Sequence, residues 1–233
     1  MPKVEYLRES PPLPPKTAAV PGRTVLVRVL ITAGILIIWF WTQSLIGARP
    51  APAIGIDDKL HDLTAGLNAY FLLHPSAANV LLIVSSLLID GLGIFLLARW
   101  IFGRSVRPFL GLVLLMLLRQ TVQAFVLLPA PAHMIWHDPG FPSLLVTYTV
   151  ANDFFFSGHS AIAVFAGIEL ARLKRPFITA AAALVVIFEL AAVIVLRAHY
   201  TMDVVTGVLA ALCVSLFVER LSTPVDRLLG QRS

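Results

Sequence analysis

Residues 152–160, NDFFFSGHS, decide how the rest of the chain is read, together with residues 197–204, RAHYTMDV, some forty positions on. Each stretch puts ionisable groups at the edge of a long apolar segment. Ser157-Gly158-His159 at the start of a helix offers a hydroxyl, a backbone that can be approached without a Cβ, N–H groups that favour an anion, and an imidazole. That combination reads as a phosphate seat with a general acid beside it. In the second stretch His199 and Asp203 stand four apart, so on one helix face the carboxylate can hold the imidazole's tautomer and stabilise its cation. That pair reads as an activated nucleophile or base.

Working outward, the chain is 233 residues long, 58% hydrophobic and 13% charged, with several apolar runs near the roughly 20 residues that cross a bilayer. The composition indicates an all-α polytopic membrane protein. The net charge of +5 does not point to nucleic acid, because Lys and Arg are spread between apolar segments instead of forming a stripe. The single cysteine, Cys213, lies inside the last apolar run and reads as a small core hydrophobe.

Six spans are expected, over residues 24–47, 76–102, 107–128, 153–173, 176–196 and 201–221, within a catalytic domain of residues 23–221. Residues 1–22 hold six prolines and read as a disordered cytoplasmic tail, and residues 222–233 as a second cytoplasmic tail. Residues 57–72 carry Leu60, Leu63, Leu67 and Phe71 at helical spacing among polar neighbours, which predicts an interfacial amphipathic helix. The 129–150 loop is rich in Pro and aromatics and lacks Lys and Arg.

The first tail with the start of the first helix, the second and fourth connections with their flanks, and the C-terminus hold 5, 3, 3 and 3 basic residues, 14 in all. The other connections hold only Arg49, Lys59 and Arg197, while Arg119 lies within a span. The positive-inside rule then places both termini in the cytoplasm and His159, His199 and Asp203 on the exoplasmic side. A bacterial inner membrane is expected ahead of a eukaryotic endomembrane.

The ordered motifs resemble the type 2 phosphatidic acid phosphatase superfamily, in its branch of sphingomyelin synthases and plant phosphatidylcholine:diacylglycerol cholinephosphotransferases. The resemblance rests on Asp153 four before Ser157-Gly158-His159, on His199-Tyr200-Thr201-x-Asp203, and on Arg119 ten before Pro129 in a Leu128-Pro129-x-Pro131 run. Ala151-Asn152 and the valines at 122 and 126 depart from the sphingomyelin synthase pattern, whereas Arg197 is similar to the plant enzymes. The resemblance implies transfer of a phosphocholine-type headgroup from a phospholipid to diacylglycerol or ceramide through a phosphohistidine. It implies His159, His199 and Asp203 as catalytic, with Ser157, Gly158, Arg197 and Arg119 binding phosphate. Asp153, Phe154, Phe155 and Tyr200 would contact the headgroup, an acid and aromatics suiting a quaternary ammonium. No metal and no cofactor is implied; the partners are the two lipids and the bilayer, and an oligomer is open. The alternatives are a lipid phosphatase or phospholipase C-like hydrolase that uses water, and a non-enzymatic lipid transporter.

An ionised Arg119 in mid-span is costly unless paired or facing a polar cavity. Glu189 reaches a similar depth, so a buried Arg119–Glu189 pair is expected, with separate cavity positions as the alternative. Asp90 and Glu169 are assigned no chemistry, and His61, His74, His133 and His137 are read as structural.

Overall fold

The computed structural model describes residues 21–48, 56–148 and 154–229. Most of the expected N-terminal tail, and Asp153 among the candidate site residues, lie outside the described residues. Among the described residues eight helices follow one another: α1 Gly22–Gly47, α2 Lys59–Leu63, α3 Ala65–Leu73, α4 Pro75–Ile101, α5 Arg107–Phe125, α6 Gly158–Ala171, α7 Pro176–Val195 and α8 Thr201–Leu228. No strand occurs among the described residues. Five of the helices, α1, α4, α5, α7 and α8, are long and apolar enough to cross a membrane. Prolines at the first turns of α4, α5 and α7 punctuate the bundle where a missing N–H costs nothing.

The expected fourth span is shorter than its apolar run. Helix α6 has only 14 residues, about 21 Å at 1.5 Å per residue, because the chain enters it non-helically through residues 154–157. It is the centre of the molecule, packed against α4, α5, α7 and α8. Almost all of its first three turns is buried, with Ala161, Ala163 and Ala166 letting the neighbouring backbones come close.

Polar contacts fix which helix ends lie together. At one end Arg107 of α5 pairs with buried Glu169 of α6 at 2.8 Å, and Arg172 joins Glu169 to Glu219 of α8. At the same end Asp226 accepts from the Val106 N–H and the Ser105 hydroxyl. Helix α8 runs past the expected end of its span at residue 221 to Leu228, and its last turns cap the start of α5. Arg28 of α1 reaches this end too, donating to the carbonyls of Trp100, Ile101 and Gly103. The starts of α6 and α8 lie at the opposite end, joined by a Ser157 N–H to Asp203 carbonyl bond of 3.1 Å.

The expected amphipathic helix over 57–72 is two helices broken at Thr64. Leu60, Leu63 and Leu67 do face outward, as a membrane-facing stripe would, but His61 and Asn68 on the other side are buried. Asn68 donates to the carbonyls of His133 and Val195, and His61 Nε2 lies 3.0 Å from the His199 carbonyl. An acceptor there requires the Nε2–H form of His61. The segment is thus a collar around the α7–α8 turn.

The long connection between α5 and α6 also does more than cover the surface. The Asp90 carboxylate, midway along α4, accepts from the Leu144 and Leu145 amides at 2.7 and 2.8 Å and from the Ser143 hydroxyl. These charge-assisted bonds hold the 143–147 segment inside the bundle. Leu145 then presses on Gly93, where a Cβ would lie 2.2 Å from Leu145 Cδ1.

Candidate active site

The start of α6 and the start of α8 meet at one small cavity of about 50 Å³. Arg119, Gly158, His159 and His199 line it, with Gln43 of α1. The rest of the wall is mostly apolar or aromatic, including Trp39, Trp136, Phe154 and Ile162. Trp136 presents its ring edge-on to His159 at 5.4 Å, and Phe154 does the same to His199 at 6.4 Å.

Each histidine is set by its helix. Ser157 is the N-cap of α6, its hydroxyl accepting from the Ser160 amide at 3.3 Å and from the Ser160 hydroxyl at 2.9 Å. His159 follows in the first turn, buried, with Nε2 making no hydrogen bond among the described residues. His199 sits just before α8, and its carbonyl is the one held by His61. His199 Nδ1 stands 3.7 Å from Asp203 Oδ2, an ion-pair distance rather than a hydrogen bond. Asp203 Oδ2 meanwhile accepts from the Tyr200 N–H at 2.9 Å, closing the first turn of α8, while Oδ1 has no partner among the described residues.

Gly158 and Gly207 allow the close approach this requires. A Cβ on Gly207 of α8 would lie 2.7 Å from the Ser157 carbonyl oxygen, and one on Gly158 would lie 3.3 Å from Arg119 Nε. The Arg119 guanidinium therefore lies directly against the start of α6. Its Nε donates to the Phe156 carbonyl at 2.9 Å, and Nη1 to Gln43 and Gln123 at 3.3 Å.

Of the residues that the sequence singles out, the cavity wall gathers Arg119, Phe154, Gly158, His159 and His199, with Asp203 directly behind His199. Others are placed differently. The buried Ser157 hydroxyl is turned to Ser160 as a cap, away from the wall. Arg197 has a positive φ of 52° and spends its guanidinium on the carbonyls of Ala132 and His61, off the cavity. Tyr200 is buried, donating to the Pro129 carbonyl and stacking on His61. Phe155 packs on the main core. These residues build the walls from behind.

The expected Arg119–Glu189 pair is not formed. Glu189, fully buried, accepts from the Ser85 hydroxyl of α4 at 2.7 Å and turns from α5 because α6 packs against both α5 and α7.

Three contributors were missed in the sequence. Trp39 and Gln43 come from α1, where a glutamine in an apolar span was itself a signal. Asp58 carries no motif, yet its carboxylate accepts from the Thr201 amide and hydroxyl at 2.6 and 2.7 Å and from the Leu60 amide at 2.9 Å. It ties α2 to the start of α8. Burial acts to raise its pKa, but the Thr201 bonds and nearby His61 outweigh that and hold the carboxyl below its ordinary value.

A helical bundle of membrane-length helices, with two histidines and an arginine around one cavity, defines a multi-pass membrane protein with a polar site among its helices. A family model described as AtPDCT1/2, the phosphatidylcholine:diacylglycerol cholinephosphotransferases, matches residues 58–220, more than half of the chain. The chain belongs to this family, which indicates an enzyme acting on phospholipid headgroups in a phosphocholine transferase role. Comparison with curated proteins and with solved structures gave no match. The family is eukaryotic, which weighs against the expected bacterial inner membrane. The matched residues include all the histidines named above and Arg119, but not α1.

Proposed function

We propose that the protein moves a phosphocholine-type headgroup from a phospholipid to a lipid alcohol through a phosphohistidine at His199. The observation that carries this reading is the convergence of His159, in the first turn of α6, and His199, in the turn before α8, on one cavity with Arg119 at the α6 start. His199 Nδ1 faces Asp203, which leaves Nε2 to attack phosphorus as the P–O bond to the departing diacylglycerol breaks. His159 gives that oxygen a proton. The acceptor alcohol then loses its proton to His159 and attacks phosphorus, breaking the P–N bond and restoring both imidazoles. Arg119 and the N–H groups at the α6 start carry the charge that develops on the phosphoryl oxygens.

Trp39, Trp136 and Phe154 on the wall suit a quaternary ammonium, and Asp153, adjoining Phe154 in sequence, is our candidate for its anionic partner. Arg119 is the only Lys or Arg on the wall among the described residues, which favours a singly charged phosphodiester over a phosphate monoester dianion. The site is taken to open toward the exoplasmic leaflet. Helix α6 with its non-helical flanks is taken as the sixth crossing, and both termini as cytoplasmic, in keeping with the α1 start and α8 end lying at one end of the bundle.

The test uses purified protein with headgroup-labelled phosphatidylcholine, with and without diacylglycerol or ceramide. Labelled lipid product should appear only with an acceptor, and acid-labile phosphate should map to His199. Free phosphocholine released equally fast without acceptor would replace transfer by hydrolysis, and absence of any covalent turnover would leave a transporter.

A further inference from the structure

We propose that the apolar groove between α1 and α5 holds an acyl chain of the glycerolipid whose headgroup is processed at the histidines. The inference rests on the function proposed above and adds where the lipid's tail lies.

Helix α1 touches the bundle chiefly through α4 and α5 and is fastened near both ends. At one end Arg28 donates to three carbonyls around Trp100 and lies 4.6 Å over the Trp100 ring. At the other, Gln43 Oε1 accepts from Arg119 at 3.3 Å and from Gln120 at 3.0 Å. The two clamps are roughly 22 Å apart along the helix at 1.5 Å per residue. Between them α1 stands off from α5, leaving a groove of about 320 Å³. Spaces of this order bury extended ligands, and here the lining is hydrocarbon, from Leu36 of α1 to Val113 of α5.

Two features select an acyl chain as occupant. The first is continuity: Trp39, Met116, Leu145 and Ile162 line both the groove and the catalytic cavity. A lipid with its phosphate beside His199 would have its glycerol at this boundary and its tail directed into the groove. The second is length. The groove runs from Thr32 to Thr42 on α1 and from Phe109 to Gln120 on α5, roughly 15 Å along each axis, which is half of the ~30 Å hydrocarbon core and so the depth of one leaflet's tails. Leu145 stands at the junction by construction, its amide held by Asp90 and its side chain seated on Gly93. It divides the polar cavity from the tail groove.

The experiment reconstitutes the full chain in phosphatidylcholine bilayers containing a trace of phosphatidylcholine with a mid-chain diazirine. Photolabel should map to groove-facing positions of both α1 and α5, and Leu36→Trp or Val113→Trp, which fill the groove from opposite walls, should each remove it. The same variants should lower kcat/KM for a dioleoyl donor about tenfold or more relative to a dihexanoyl donor, the loss expected from unburying about two methylenes. Label spread evenly over the lipid-facing sides of α1, α7 and α8 and unchanged in both variants would overturn the inference, as would an unchanged long-to-short-chain ratio. If no headgroup transfer is seen in any lipid, the proposed function fails while the labelling pattern still reports on the groove.

Discussion

Gly207→Ala tests whether the close approach of α8 to the start of α6 sets the catalytic geometry. The added Cβ would lie 2.7 Å from the Ser157 carbonyl oxygen and 3.1 Å from Ser160 Cβ. Ordinary contact begins near 3.4 Å, so the two helices must part by about 0.7 Å. The carbonyl cannot simply turn away, because it accepts the Ala161 N–H that begins the α6 ladder. Overpacking of this kind costs about 1–3 kcal/mol, which for a chain of this size lowers the unfolding temperature by about 2–10 °C. The same displacement separates His159 from His199, since the Ser157 N–H to Asp203 carbonyl bond is the direct tie between their segments. Misplacement near 1 Å can cost roughly a hundredfold in rate, so kcat should fall by about ten- to a hundredfold with KM little changed. Turnover of labelled phosphatidylcholine and thermal unfolding in detergent are the two measurements. Gly91→Ala is the control, because a Cβ there meets nothing within 4 Å. If Gly207→Ala matches Gly91→Ala in both measurements, the close approach does not set the site.

His199→Ala should abolish transfer and the acid-labile phosphoprotein, whereas His159→Ala should slow release of the lipid alcohol but spare a donor with an activated leaving group; retained activity in His199→Ala would end the phosphohistidine scheme. Asp58→Asn should remove charge-assisted bonds across α2 and α8 and lower stability by about 1 kcal/mol, reduced from the usual 1.5–3 by its partial exposure. Because the Asp58 carboxyl is held below its ordinary value, its contribution is complete above about pH 4 and is lost as pH falls through the folded-state value. Unfolding temperatures of wild type and Asp58→Asn should therefore differ at pH 7 and converge on acidification below about pH 4; a gap that persists there would refute the assignment. In a Cys213→Ala background, cysteines at His137 and Arg104 should label from opposite sides of the membrane, and labelling of position 104 from outside would reverse the topology.

Much of the fold was legible because bilayer-length apolar runs become helices whatever their neighbours are. Five of the six expected spans are helices of membrane length and the sixth holds the shorter α6, while the collar of residues 57–72 shows its leucines outward as its period implies. The histidine pair and Arg119 were legible for a different reason: ionisable groups at apolar edges have few uses. What sequence could not give is azimuth. Arg119 and Glu189 were placed at similar depth, yet α6 packs against both their helices, and Glu189 binds Ser85 instead. Asp90 was assigned no chemistry, since nothing local shows that the 143–147 segment folds back onto it. Ser157 and Arg197 carry motif positions, but their polar atoms are taken by Ser160 and by backbone carbonyls. A local pattern names a side chain's chemistry, while its partner is fixed by contacts as distant as Thr201 with Asp58.

The wall chemistry bears on which nucleophile would complete the proposed reaction. A phosphohistidine discharged by water needs a site that admits water freely, whereas transfer to a lipid alcohol needs one that does not. Here the polar groups of the cavity are concentrated at the α6 start and around Arg119, while Trp39, Met116, Leu145 and Ile162 form the side leading to the α1 groove. A hydroxyl that arrives along that side comes on a hydrocarbon stem, and burying the stem is favourable by about 0.8 kcal/mol per methylene. Water gains nothing from the same surface. In the proposed reaction, a preference for an alcohol acceptor would then come from the apolar wall that positions its tail, without any group that must recognise the hydroxyl itself, and it should weaken in proportion as that wall is made polar.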